Sequence, residues 1–234
     1  RKMIVVYDVA GVITDSPRPF AKATDLRPDP TPQRSLYEFL RDMEILASHP
    51  EVKAILFRNQ DFITSFSNII EIEQALLKLK ESGKEIYFYA DSLGSRQYAL
   101  AASVADGIFM SPNGALDLTG FGVTNLYLKD LMARYGVAVE NFRSHEYKTA
   151  YDQFSESEMS DAQRESLVAV YGALQEEMDR MIIQGRGGNL TEDLDSLYGE
   201  GYWMSASRAK EAGLIDDLLY LDQMATWQGI RRYR

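Results

Sequence analysis

Cysteine is absent from all 234 residues, which excludes disulfide staples and thiolate chemistry. Histidine occurs only as His49 and His145. The two lack the helical or paired-carboxylate spacing that holds a metal, so neither a metal site nor a cofactor is expected. No apolar run approaches the roughly 20 residues of a membrane span. The chain opens directly into MIVVYDV, a strand pattern and not a leader. Positive charge is scarce: 25 Lys+Arg stand against 35 Asp+Glu, for a formal net charge of −10. The one concentration of positive charge is Arg231-Arg232-Tyr233-Arg234, read as a solvated terminus. Binding a phosphate backbone needs a basic stripe, so nucleic acid is not an expected partner. GRGGN (Gly185 to Asn189) lacks the Lys-Ser/Thr ending of a phosphate loop. It reads as a helix C-cap and turn.

Hydrophobic residues make up 45% of the chain, enough for a sizeable core. Met3 to Val9 predicts a buried strand, and the Pro/Asp-rich stretch after it a long loop. Ser35 and Glu38 form a capping box for a helix with Leu36, Phe39, Leu40, Met43 and Leu46 on one face. His49, before Pro50, ends that helix. Val52 to Arg58 predicts a strand. A helix with Ile69, Ile72, Leu76 and Leu79 on one stripe follows, stopping at Gly83. EIYFYAD is a third strand, Gly94 to Val104 an Ala-rich helix, and GIFMS a short fourth strand. Asn125 to Tyr135 predicts a helix and Val137 to Arg143 a strand. Ser160 with Gln163 caps the longest helix, with Leu167, Val170, Tyr171, Leu174, Met178 and Ile182 inside and Gly185 as its stop. A last unit reads as helix, Gly213 cap and short strand. Strands alternating with helices predict an α/β fold with parallel pairing. A single domain over 1–234 is expected, with 160–234 a mainly helical arm within it.

One stretch carries a chemical question. EYKTAYDQFSESEMSDAQRES places Lys148 among Tyr147, Tyr151 and Phe154, ahead of an acidic turn. A lysine at its ordinary pKa near 10.4 is an ammonium that accepts no proton. A catalytic one needs an apolar, crowded site that destabilises the charge. Glu146 and Asp152 would oppose that if they lie close. The residues alone leave Lys148 open between a solvated charge and a base.

The same stretch resembles the signal peptide peptidase A (protease IV) family, in particular the N-terminal half of its long, two-half form. Tyr147, Lys148, Thr149, Phe154, Met159 and Ser160 match the family's lysine motif. GVITD, YALAASVADGIFMSP, GALDLTGFGVTNLYLKDLM and RAKEAGLIDDL match other stretches in order. The resemblance implies a Clp protease/crotonase-like fold of repeated β-β-α units with a helical C-terminal extension. It also implies a serine endopeptidase with a Ser-Lys dyad, in which Lys148 is the catalytic general base. Signal peptides and other hydrophobic peptides are the implied substrates. A homo-oligomer on the periplasmic side of the bacterial inner membrane is implied, held through a segment absent here.

The family's nucleophile sits in an ASGGY-like turn and its oxyanion glycines in an SPGG-like loop. The corresponding stretches here, SLGSRQY (Ser92 to Tyr98) and NQDFITS (Asn59 to Ser65), lack the double glycine. Backbone N–H groups approach a substrate closely only where side chains leave room. The register puts the nucleophile position near Arg96, with Ser95 one residue away and read as a helix N-terminal residue. The serine and oxyanion hole are therefore expected on the C-terminal half of the same protease, and this chain alone is expected to be inactive. His145 is a candidate substrate contact and Gly120 to Gly122 a candidate cleft-shaping turn. Asp8 and Asp15 are weaker acidic candidates. Two alternatives remain. One is a catalytically silent assembly or peptide-binding module of the same fold. The other is an acyl-CoA enzyme of crotonase type, which NQDFITS disfavours.

Overall fold

The structure, a computed structural model, describes residues 2–15, 33–200, 203–224 and 226–227. Most of the long loop expected after the first strand, and the basic terminal cluster, lie outside the described residues. Among the described residues seven strands form one sheet: β1 (Met3–Thr14), β2 (Gln33–Ser35), β3 (Val52–Ile63), β4 (Glu85–Gly94), β5 (Gly107–Asp117), β6 (Met204–Ser205) and β7 (Asp217–Leu218). Their order is β2-β1-β3-β4-β5-β6, with β7 also pairing β5. All neighbours are parallel except β5 and β6. The expected α/β class with a parallel-rich sheet is observed.

Three helices join the central strands: α1 (Leu36–Ser48), α2 (Phe66–Glu81) and α3 (Ser95–Val104). The Ser35–Glu38 capping box forms in both directions, at 3.1 Å each way. Leu36, Phe39 and Met43 bury the inner face of α1. On α2 the predicted stripe Ile69, Ile72, Leu76 and Leu79 is entirely buried. Period-two alternation divides the sheet residues between its faces. On one side Tyr7 meets Phe39 of α1 and Phe57 edge-on, Phe39 lies tilted against Phe57, and Phe57 stacks with Phe88. Leu56, Tyr87, Tyr89 and Phe109 face the other, where Trp227 and Met224 of α9 (Leu221–Met224) close over them.

Several polar groups that enter this core are paired, which offsets the cost of their burial. His49 is the C-cap of α1, and its carbonyl and that of Val52 each accept from Lys84 Nζ at 2.8 Å. Burial, then the neighbouring Lys53 charge, holds the Lys84 ammonium below the ordinary lysine range. Buried Glu73 accepts from Ser103 Oγ and from Arg180 Nη2. That ties α2 and α3 to α6 (Asp161–Arg186). At the end of α6, Arg186 donates to Gly213 O at 2.7 and 3.1 Å and to both oxygens of Asp216 at 2.9 and 3.0 Å. α7 (Leu194–Gly199) and α8 (Ala206–Glu211) complete this part. Gly213 follows α8 with φ +77°, where an added Cβ would lie 1.8 Å from Asn189 O. The predicted order of helix, glycine cap and short strand holds.

The chain divides into two compact units, Arg1–Thr119 with Met178–Arg234, and Gly120–Glu177. The second holds α4 (Lys129–Arg134), α5 (Asp152–Ser155) and the first part of α6. Five local expectations are corrected. Val137–Arg143 is not a strand. Among the described residues its unit offers no strand to pair with, and a lone extended segment gains no ladder bonds. The helix expected from Asn125 starts only at Lys129. Before it, Leu128 N–H donates to Gln153 O and Tyr127 Oη to Gln163 Oε1, which hold the chain out of helical form. β1 is longer than Met3–Val9 and only partly covered, with Val9 and Ile13 buried and Val6 57% exposed. Finally, α6 continues through Gly185 to Arg186. That glycine does not stop the helix: an added Cβ would lie 1.7 Å from Ala102 O, so it permits close approach of α3. Of the positions predicted inside α6, Met178 and Ile182 are buried, while Val170 is 58% exposed.

Candidate functional site

Lys148 lies in an irregular turn between Val137–Arg143 and α5. Its N–H donates to His145 O at 3.1 Å, and both His145 and Lys148 are exposed. Tyr147 and Tyr151 are exposed as well and Phe154 is half-buried, so these rings do not close an apolar niche over the amine within this chain. Tyr147 Oη donates to Glu165 Oε2 at 2.9 Å, near the start of α6. The Glu165 carboxylate, by that bond and by its charge, holds the Tyr147 phenol above its ordinary range.

The group buried in this segment is Asp152, at 0% exposure. Its carboxylate accepts from Asn141 Nδ2 at 3.2 Å, from Arg143 Nη1 at 3.1 Å to each oxygen, and from Ser160 Oγ at 3.5 Å. Its own N–H donates to Thr149 O at 3.0 Å. Ser160 also accepts from Gln163 N–H at 3.3 Å, the predicted cap of α6. Sequence reasoning met Asp152 only as a charge near the lysine. No periodic signal marked it, because its partners come from irregular backbone.

The positions matching the family's nucleophile and oxyanion loop are differently built. Asn59 to Ile63 continues β3, and Ser65 caps α2, accepting from Asn68 N–H at 3.2 Å. Gln97 Nε2 donates to Phe62 O at 2.6 Å and Arg96 Nη1 to Thr64 O at 3.2 Å. These side chains occupy carbonyls beside the turn, and no glycine pair opens it. Ser95 is the first residue of α3. Its Oγ lies 2.9 Å from both Asp117 O and Thr119 O and accepts from Thr119 N–H at 2.8 Å. That hydroxyl is a structural tie for the exit of β5. Ser95→Ala is expected to cost about 1–2 kcal/mol of stability, from the bonds it removes. A thermal melt of the variant checks this, and an unchanged melting temperature would show that the tie contributes little.

Asp8 pairs with Arg58 at 2.6 Å across β1 and β3, and Asp15 is exposed. In the second unit, Phe121 N–H donates to Gln175 Oε1 at 3.0 Å and its ring lies 6.3 Å from that of Tyr171. Gly120–Gly122 is thus irregular backbone held to α6 through Phe121, and not the turn expected. Among the described residues no group of acidic or histidine side chains could hold a metal ion, and no helix is long and apolar enough to cross a membrane.

A sequence model of peptidase family S49 matches residues 78–230, a span that includes both Lys148 and Ser95. The chain is 28% identical over 170 residues to Protease 4 of Salmonella typhi, covering 69% of this chain and 27% of that one. It is 25% identical over 181 residues to the chloroplastic serine protease SPPA of Arabidopsis thaliana, covering 77% and 26%. Protease 4 of Haemophilus influenzae is 36% identical over 86 residues, 37% of this chain and 14% of that one. The chain thus spans about a quarter of the length of the first two relatives.

Proposed function

This chain belongs to peptidase family S49, and from that premise we propose that it is the N-terminal half of a serine protease of the Protease 4 type. In this reading it supplies the general base, Lys148, and a serine on the C-terminal half is the nucleophile. The lysine amine takes the hydroxyl proton as the serine oxygen attacks a peptide carbonyl. The tetrahedral intermediate collapses to an acyl-enzyme, and the proton passes to the leaving amine. The lysine amine then takes a proton from water as that water attacks the ester, and returns it to the serine oxygen as the ester bond breaks and the second product leaves. Oxyanion donors come from the same half as the serine.

The observation that carries this reading is the contrast between two segments. Lys148 sits with its side chain exposed on a turn whose flanks are bonded. Ser95 is sealed into backbone contacts, and the Asn59 to Ser65 stretch is largely strand. The first leaves its amine open to a partner group, which in this reading supplies the apolar cover that a base requires; the second has its hydroxyl committed to backbone bonds. In keeping with the family, we assign a Clp protease/crotonase-like fold and a homo-oligomer. The substrates are cleaved signal peptides and other small hydrophobic peptides. The site of action is the periplasmic face of the inner membrane, reached through a membrane segment outside these residues.

A peptidyl fluorophosphonate tests the assignment directly. In full-length protein the modified serine is expected to map outside residues 1–234. Modification of Ser95, or of any serine within this chain, would refute it. The second reading, a catalytically silent assembly or peptide-binding module, draws on the same loss of glycines in Asn59 to Ser65. It requires that Lys148 be dispensable.

A further inference from the structure

We infer that Asp152 is the positioning residue for Lys148, an inference that rests on the proposed role of that lysine. A lysine side chain has four rotatable bonds, so its amine reaches one reaction geometry only if its backbone is held. The segment around Lys148 has no helix or strand to hold it. Its order comes from one buried carboxylate. Asp152 draws Asn141 and Arg143 from the irregular stretch before the lysine, and Ser160 from the cap of α6 after it. The stretch from Asn141 to Asp152 is thereby closed at its base, with Lys148 between the two ends. Tyr147, bonded to Glu165, fixes the residue next to the lysine from the other side.

Stability is a poor reason for this arrangement. A fully buried carboxylate pays desolvation that its ion pair only partly returns, and apolar replacements of such pairs are often neutral or better. What it does provide is a single conformation. Every donor around it points inward, and an ionised carboxylate is acceptor-only. An amide in the same place would turn an N–H₂ group toward Asn141, Arg143 or Ser160. The isosteric Asp152→Asn therefore opens the base of the segment without changing its volume. A misplacement of about 1 Å of a reacting group costs on the order of 100-fold in rate.

In full-length protein, Asp152→Asn is expected to lower kcat about 10- to 100-fold with KM within about twofold. The double variant Lys148→Ala/Asp152→Asn is expected to be no slower than Lys148→Ala alone, because Asp152 acts through the lysine. A purely structural role would instead make the two losses multiply, and that result overturns the inference. So does an Asp152→Asn enzyme with kcat within twofold of wild type while Lys148→Ala is inactive; the base assignment then stands without it. Activity retained in Lys148→Ala refutes the base assignment itself. If Asp152→Asn does not fold, as judged by circular dichroism, Asn141→Ala decides. It removes one neutral donor and leaves the Arg143–Asp152 pair intact. A several-fold fall in kcat at unchanged melting temperature supports positioning, and an unchanged kcat rejects it.

Discussion

Full-length protein with Lys148→Ala is expected to lose about 10³-fold or more of its kcat on a hydrophobic reporter peptide, since removing a positioned general base costs about 10²–10⁴-fold. Its melting temperature and oligomeric state should match the parent. The separation follows from where the side chain sits: Lys148 is exposed in this chain, and exposed substitutions away from caps and networks usually change stability by no more than about 0.5 kcal/mol. Lys148→Arg should be as inactive as the alanine variant, because a guanidinium keeps its proton and cannot act as a base. Turnover in either variant above about a tenth of wild type would mean that the proton goes elsewhere.

Arg186→Ala is expected to be the most destabilising substitution considered for the first unit, by about 3 kcal/mol, read as a lowered denaturation midpoint at constant slope. The side chain is 8% exposed and donates to Gly213 O and to both oxygens of Asp216. Asp216 in turn accepts from Ile108 N–H at 2.7 Å, so one guanidinium links the end of α6 to the segment after α8 and to β5. Tyr98 of α3 donates to Leu214 O at 2.9 Å in the same place. Removal leaves the partly buried Gly213 O without its donor and Asp216 without its cation. Because Asp216 is 35% exposed, water recovers part of the loss, which keeps the figure at the lower end for a buried pair. A change under about 1 kcal/mol would show that the network contributes little.

How far the sequence reached differs from element to element. The α2 stripe and the Ser35–Glu38 cap were legible because local spacing carries them, and the Gly213 turn because only glycine suits a φ of +77° beside Asn189 O. Val137–Arg143 misled because alternation reports a chain's fitness for pairing and not the arrival of a partner. Val170 misled in the same way, since an apolar stripe on α6 does not say which part of the helix meets a core. The motif around Lys148 was legible by resemblance. Asp152 was not, because an Asp bonded across 11 residues to Asn141 leaves no periodic trace.

Residue order alone was enough for the α/β class, the strand and helix succession of the sheet, and the family motif that draws attention to Lys148, since propensity, capping and period are properties of neighbours. Tertiary structure decided the rest. It sealed the Ser95 hydroxyl against Asp117 and Thr119, buried Asp152 under Asn141 and Arg143, and left the lysine side chain in the open. Those outcomes depend on which distant groups meet, and desolvation and hydrogen bonding act only after they have met.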